Sequence, residues 1–403
     1  MVRHNHGLDQ ADYLMRTSFI FPELELSGRW QQVARNRMQD EIEFMMSSEG
    51  IQKENSPGYH ISYGASVFRR LEWVDHYTNE PLSPTLAKFE NKALEFATVI
   101  AQPDGKLPQL GDTGPNLKLK ISLPNLDELS WFPHYEYIAS KGQRGFPPEQ
   151  LRFIFPESGY YIYRDKWDEQ GENKATQLIF KCGFLAEGHR QDDDGQILLY
   201  GLGEPWLTDG GQYGYVTDEI REYMRSPLAH NVSLPENAKT QRNLQARLSR
   251  FVDSWGMTTN DPQTLSAVSC SSHMYAGYLY NRKIDIIAPR KFLITDLLTP
   301  NHKEIKTDFV TQFRVPDEYT VEIDEAAGEI KVISPSGNRM LIRFPKDKVD
   351  RVKVYSGQSK GFISLDTVGW REVEPVKTLR MYWSESSYLS SLNYELELVP
   401  IQH

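Results

Sequence analysis

Residues 188–231 (GHRQDDDGQILLYGLGEPWLTDGGQYGYVTDEIREYMRSPLAHN) gather an unusual set of side chains able to take up protons or cations. They hold His189, Gln191, the run Asp192, Asp193 and Asp194, then Asp209, the tyrosines Tyr213, Tyr215 and Tyr223, and His230. Two apolar runs, residues 197–200 (ILLY) and 205–207 (PWL), are separated by Gly-Leu-Gly and predict a hairpin. Such a hairpin brings Gln191 toward Asp209, and His230 then closes a polar cluster. An imidazole, a carboxylate and an amide oxygen together suit a divalent cation. The alternative reading makes Asp209 a turn cap before Gly210-Gly211 and His230 a hydrogen-bonded core histidine.

Three further stretches carry candidate chemistry. Residues 3–7 (RHNHG) put Asn5 and His6 directly before a predicted helix. In residues 54–60 (ENSPGYH), Pro57-Gly58 predicts a turn that presents Tyr59 and His60, with Glu54 nearby. Residues 108–112 (PQLGD) end on Asp112. Their structural readings are a helix cap at Asn5, a turn with a packed tyrosine at Tyr59, and a Gly-Asp turn at Asp112.

The elements that must position these residues fall into two blocks. Residues 8–142 read as helical: Ser27 is the expected N-cap of a helix bearing Trp30, Ala34, Met38, Ile42 and Met45 at intervals of three or four. Ser83-Pro84 opens another helix, with Leu86, Phe89, Ala93, Phe96 and Ile100 on one face and Pro103-Asp104-Gly105 beyond its end. A third is expected over residues 63–77. From about Leu151 the pattern changes to short β-branched or apolar runs between turn residues, including a hairpin around residues 334–338 (SPSGN). The expectation is a multidomain α+β chain, with helices over 1–150 and a large antiparallel β-sandwich over 151–403.

Composition narrows the function classes. The chain has 403 residues, 39% hydrophobic and 25% charged, enough for two or three packed domains. The formal charge of -10 argues against nucleic acid as a partner. No apolar run is long enough to cross a bilayer, and the first ten residues are polar rather than a secretory leader. The two cysteines, Cys182 and Cys270, make no disulfide framework and are expected to be buried small hydrophobes.

The pattern His-x-Gln-x-Asp-Asp, an apolar strand, Trp-Leu-x-Asp-Gly-Gly-x-Tyr-x-Tyr, then Arg-Ser-x-x-x-His-Asn resembles the heparinase II/III family of polysaccharide lyases. Asn-His-Gly at a helix start, followed by Glu-x-Ser-x-x-Tyr-His, resembles the same family's toroid loops. The resemblance implies an N-terminal (α/α) toroid, apparently incomplete here, joined to an antiparallel β-sandwich. It also implies β-elimination on a uronate-containing acidic polysaccharide or oligosaccharide. By resemblance, Asn5 with His6 neutralises the uronate carboxylate, Tyr59 is the principal acid/base group and His189 assists it. Glu54, His60, Tyr215 and Arg282 are the expected substrate contacts. Gln191, Asp209 and His230 match positions where relatives hold one structural divalent metal, zinc or calcium, and no organic cofactor is implied. Where the family often has a second histidine two residues after the first, this chain has Gln191.

Relatives carry more helical hairpins before the Asn-containing loop, so the chain is expected to be the C-terminal part of a longer lyase or an unusually short member. A leader upstream would make it periplasmic or secreted; without one it is cytoplasmic. The chemistry explains the residue types. Removing the C5 proton of a uronate builds enolate-like charge that a preorganised donor such as Asn5 or His6 stabilises. An ordinary tyrosine is mostly protonated at neutral pH, so cationic character at His60 or His189 is expected to lower Tyr59. Two other classes stay open: a non-catalytic acidic-carbohydrate-binding or polysaccharide-assembly protein, and a glycoside hydrolase pairing Glu54 with Asp112 or Asp193.

Overall fold

The computed structural model describes residues 5–77, 83–119, 129–169, 171–186, 188–236, 239–241, 255–301, 308–359, 361–384 and 390–401. Five helices come first: α1 (Asn5–Ile20), α2 (Ser27–Met45), α3 (Pro57–Tyr77), α4 (Ser83–Ile100) and α5 (Phe132–Ala139). Ala34, Met38, Ile42 and Met45 recur on one side of α2 and are buried against Leu8, Ala11 and Met15 of α1 and against Tyr63 and Val74 of α3. The 3.6-residue period produces that stripe.

Two helix starts differ from expectation. Ser27 is not the N-cap of α2: Leu26 holds that place with no side-chain cap bond, and the Ser27 hydroxyl donates to the Pro22 carbonyl (3.0 Å). The preceding turn already winds into the helix, the Leu24 N–H donating to Phe21 and the Ser27 N–H to Leu24, so the helical path starts one residue before Ser27. Helix α3 begins at Pro57 rather than Tyr63. Pro57 sits where its missing N–H costs nothing, and the Ser56 hydroxyl accepts the Tyr59 N–H (3.4 Å). Tyr59 and His60 therefore stand in the first helical turn, about 100° apart around the axis, instead of on an exposed loop.

Strands follow from Arg152 onward. An antiparallel meander contains β1 (Arg152–Phe155), β2 (Tyr160–Arg164), β3 (Gln177–Lys181), β4 (Gln196–Gly201) and β5 (Glu204–Leu207), in that order. Its three central strands are buried at every position, because the sheet is covered on both faces. Tyr160, Ile162, Ile179 and Leu198 face Phe96, Ile100 and Tyr135 of the helical half. The alternate residues Tyr161, Tyr163, Leu178, Phe180, Ile197 and Leu199 join the core of the later strands.

After a short helix α6 (Glu219–Arg225) come β6 (Ser233–Pro235), β7 (Gly256–Thr258), β8 (Ala267–Ser272), β9 (Tyr278–Ala288), β10 (Lys291–Pro300), β11 (Phe309–Pro316) and β12 (Thr320–Asp324). They are followed by β13 (Glu329–Ile333), β14 (Arg339–Arg343), β15 (Val349–Ser359), β16 (Phe362–Gly369), β17 (Glu372–Trp383) and β18 (Ser390–Val399). Among the described residues these form two antiparallel sheets, ordered β12-β13-β14-β18-β10-β9-β8-β7 and β15-β16-β17-β11-β6. Ile294, Tyr394 and Leu396 of the first sheet share one core with Phe313, Leu379, Met381 and Trp383 of the second. No helix among the described residues is long and apolar enough to cross a membrane.

The cysteines are a correction. Cys182, just after β3, and Cys270 on β8 are fully buried but joined as a disulfide, with Cα atoms 5.6 Å apart. Their separation of 88 residues hid the pairing, which depends on the meander lying against β8.

Candidate active site

Two loops of the helical half and one of the strand half meet in front of α3. The Asn55 side-chain amide donates to the carbonyls of Ala186 (2.7 Å) and Gly188 (3.1 Å), clamping the segment that leads to His189. The crossing is close: a Cβ on Gly111 would lie 2.3 Å from the Asn55 carbonyl oxygen, and Gly111 has φ 53°. His189 is also left-handed, at φ 54°, a conformation uncommon outside glycine and one that clusters at functional sites.

Held this way, the His189 ring stacks on Tyr59, with centroids 3.7 Å apart and planes 20° from parallel. The Tyr59 and Tyr215 hydroxyls are hydrogen-bonded to each other. His189 Nδ1 lies 2.9 Å from Asp112 Oδ2 and 3.2 Å from the Tyr215 hydroxyl, and Nε2 lies 3.5 Å from Glu54 Oε2. Gln212 donates its amide to the Tyr215 hydroxyl (2.8 Å). Beneath them, Arg221 grips Asp112 through both terminal nitrogens (2.8 and 2.9 Å), and Gln191 adds a bond to Oδ1 (3.2 Å). Burial works to raise the Asp112 carboxyl, but His189 and Arg221 outweigh it and hold the group below the usual carboxylate range. A permanent carboxylate at Nδ1 fixes the imidazole proton on that nitrogen.

The phenols are pushed the other way. Burial raises Tyr59 above its ordinary value and the Asp112 and Glu54 charges add to this, while the bond from Tyr215 opposes it. Tyr215 is raised further, by burial and by its bond to Tyr59. The expected lowering of Tyr59 by neighbouring histidine charge is thus reversed in the free protein. His60 cannot supply such charge: it is buried, its Nδ1 accepts the Gln52 N–H (3.2 Å), its Nε2 donates to the Ala93 carbonyl (3.0 Å), and burial pushes it down to about 4.

The structure thus brings Glu54, Tyr59, His189 and Tyr215 together. His60 is corrected from substrate contact to core histidine, since one helical position past Tyr59 points it inward. Arg282 is likewise no substrate contact: it is fully buried, bound to Asp296 through Nε (2.6 Å) and Nη2 (2.8 Å) and to the Gly195 and Asn231 carbonyls. Tyr213 and Tyr223 are packing residues, buried around Met224 and Leu365. Asn5 opens α1, but its side chain lies outside the described residues; His6 is exposed on the same helix. Sequence reasoning missed Asn55 and Arg221, and read Asp112 as a Gly-Asp turn or a hydrolase carboxylate rather than as the partner of His189. No local signal marks Arg221, whose partner is 109 positions away.

The cation cluster departs from expectation in one member. The β4–β5 hairpin forms, yet the glutamine meeting Asp209 is Gln196 (2.8 Å), while the Gln191 amide nitrogen turns to Gly111, Asp112 and Gly211. The other Asp209 oxygen is 2.8 Å from His230 Nδ1. Gln191 Oε1, His230 Nε2 and Asp193 Oδ2 remain buried without a hydrogen-bond partner, and burial raises Asp193 to about 6. Among the described residues no three His, Cys, Asp or Glu side chains form a metal group. A cation would need the Gln191 amide oxygen, which is buried and without a hydrogen-bond partner. The carboxylate-bound Nδ1 of His230 fits as well, since it leaves Nε2 free to ligate.

Comparison with known proteins agrees with this architecture. Residues 2–139 match the profile "Heparinase II/III N-terminus", and residues 147–367 match "Heparinase II/III-like, C-terminal". A heparin-sulfate lyase of Pedobacter heparinus is 24% identical over 360 residues, covering 84% of this chain and 50% of that protein. One from Bacteroides stercoris is 28% identical over 236 residues, covering 56% of this chain and 35% of that protein. The crystal structure of a heparan sulfate lyase mutant from Pedobacter heparinus superposes with a TM-score of 0.77 at 19% identity, over 100% of this chain and 61% of that one. That likeness shows the fold: helices of an (α/α) toroid followed by an antiparallel β-sandwich. The chain spans half the length of the Pedobacter lyase and about a third of the Bacteroides one. With both profiles covering most of its residues, the chain belongs to the heparinase II/III-like family.

Proposed function

We propose that this chain carries the elimination site of a polysaccharide lyase acting on a uronate-containing acidic glycan of the heparan sulfate class. The observation that carries this reading is the Tyr59–His189–Tyr215 cluster, with rings stacked and hydroxyls joined where the two halves meet. The names of the relatives, heparin-sulfate lyases, support the substrate class.

In the proposed reaction Tyr59 takes the C5 proton of the uronate. The electron pair forms the C4–C5 double bond, the C4–O4 bond breaks, and O4 leaves with the proton that Tyr59 has just taken or with one supplied by His189. Asn5, with His6 beside it, is assigned to the uronate carboxylate, where charge builds in the transition state. His189 assists the proton transfers, and Tyr215 is placed by its bond to Tyr59 to relay one of them. Asp112 holds and orients His189. A hydrolase reading is less well supported, because a carboxylate pinned by Arg221 and kept ionised is a poor general acid.

We also propose that Gln191, Asp209 and His230 hold one divalent cation, zinc or calcium, which would brace the loop bearing His189. A buried disulfide supports an oxidising compartment, periplasmic or extracellular. The test of the reaction is ultraviolet absorbance of the unsaturated uronate formed from heparan sulfate. Tyr59→Phe is expected to lower the rate by about 10² to 10⁴. A mutant as active as its parent would exclude Tyr59 as the acid/base group.

A further inference from the structure

Trp370 stands at the turn between β16 and β17 and is 58% exposed. A ring of this size ordinarily covers core or an interface, because its apolar area is costly to leave in water. The turn that bears it is tied down on several sides. The Arg371 N–H donates to the Tyr213 carbonyl (2.7 Å), with Arg371 itself left-handed at φ 61°. The Thr367 N–H donates to the Gly210 carbonyl (3.1 Å), and the Gln109 amide from the helical half donates to the Thr367 carbonyl (3.0 Å). A Cβ on Gly214 would come within 3.7 Å of the Trp370 indole, so the ring stands over the glycine beside Tyr215. It meets Tyr215 edge to face, with centroids 5.4 Å apart and planes at 73°.

Tyr59 stacks on His189, His189 meets Tyr215 (centroids 5.6 Å apart) and Tyr215 meets Trp370, so an aromatic row runs from the acid/base pair to the exposed indole. We propose that Trp370 is a stacking platform for a sugar ring of the bound glycan adjacent to the linkage that is cleaved. A pyranose presents C–H bonds carrying slight positive charge on its apolar face, which complement the negative face of an indole. An exposed ring on a fixed turn offers that face with little ordering cost on binding. The inference rests on the lyase reading for the identity of the occupant, but its test does not depend on turnover.

Binding of a heparan sulfate hexasaccharide is measured by calorimetry in the Tyr59→Phe background, with and without Trp370→Ala or Trp370→Phe. The expected result is a Kd about tenfold weaker for alanine, about 1.4 kcal/mol, and largely restored by phenylalanine, whose ring still stacks. With Tyr59 intact, Trp370→Ala is expected to raise KM more than it lowers kcat. Unchanged affinity in Trp370→Ala, or no binding by the Tyr59→Phe parent, overturns the platform. Failure to form unsaturated product while the affinity difference persists would sink the elimination reading and leave the platform standing.

Discussion

The rings of Tyr59 and His189 lie face to face at 3.7 Å, one from the first turn of α3 and the other from the loop before β4. Neither half of the chain contains the site alone. The contact exists because Asn55 holds the Ala186 and Gly188 carbonyls while Gly111 lets the two loops cross.

A first prediction concerns pH. Burial keeps Tyr59 above its ordinary value, and the bond from Tyr215 opposes that, with the Arg221 charge adding a smaller push the same way. The elimination rate is expected to climb with pH on the alkaline side as Tyr59 ionises. Tyr215→Phe removes the opposing bond, so this limb should move to higher pH. A limb that stays in place or moves down in the kcat/KM profile would assign it to another group.

His60 makes acid stability the second prediction. Its folded value is about 4 against an ordinary 6.5, so the unfolded chain binds the proton first. Its contribution is fully present above about pH 6.5 and is lost as pH falls toward 4, by about 3 kcal/mol for this one residue. In His60→Gln, the drop in unfolding free energy between pH 7 and about 4 should shrink accordingly, as read by chemical denaturation. An unchanged drop would place the acid sensitivity elsewhere.

The disulfide closes a separation of 88 residues between the meander and β8. For a loop of that length, losing the bond should cost about 4 to 5 kcal/mol in the chain-entropy account. Cys182→Ala with Cys270→Ala is the clean comparison, because it leaves no free thiol to re-pair. Stability equal to that of the parent would contradict the pairing.

Cation binding is testable without activity. If Gln191, Asp209 and His230 hold an ion, chelation should lower Tm, and calcium or zinc at about 100 times its Kd should return about 2.7 kcal/mol. In His230→Ala the response should vanish. A parent protein indifferent to chelator and to both ions would remove the cation from the account.

Much of this was decided locally and could be read directly. The stripe of Ala34, Met38 and Ile42, the β4–β5 hairpin and the turn at residues 334–338 follow from periods and turn residues acting over a few positions. So did the candidacy of Tyr59 and His189, whose types and surrounding motifs carry the family resemblance. Other decisions needed the folded chain. Tyr59 reaches the cleft while its neighbour His60 enters the core, because the helix begins at Pro57 and turns about 100° between them. Gln196 rather than Gln191 meets Asp209 because Gln196 stands on β4, paired with the strand that leads to Asp209, while Gln191 lies before it. The grip of Arg221 on Asp112 and the bond between Cys182 and Cys270 join distant segments. Such contacts depend on how whole sheets and helices pack, and no pattern of neighbouring residues encodes that packing by itself.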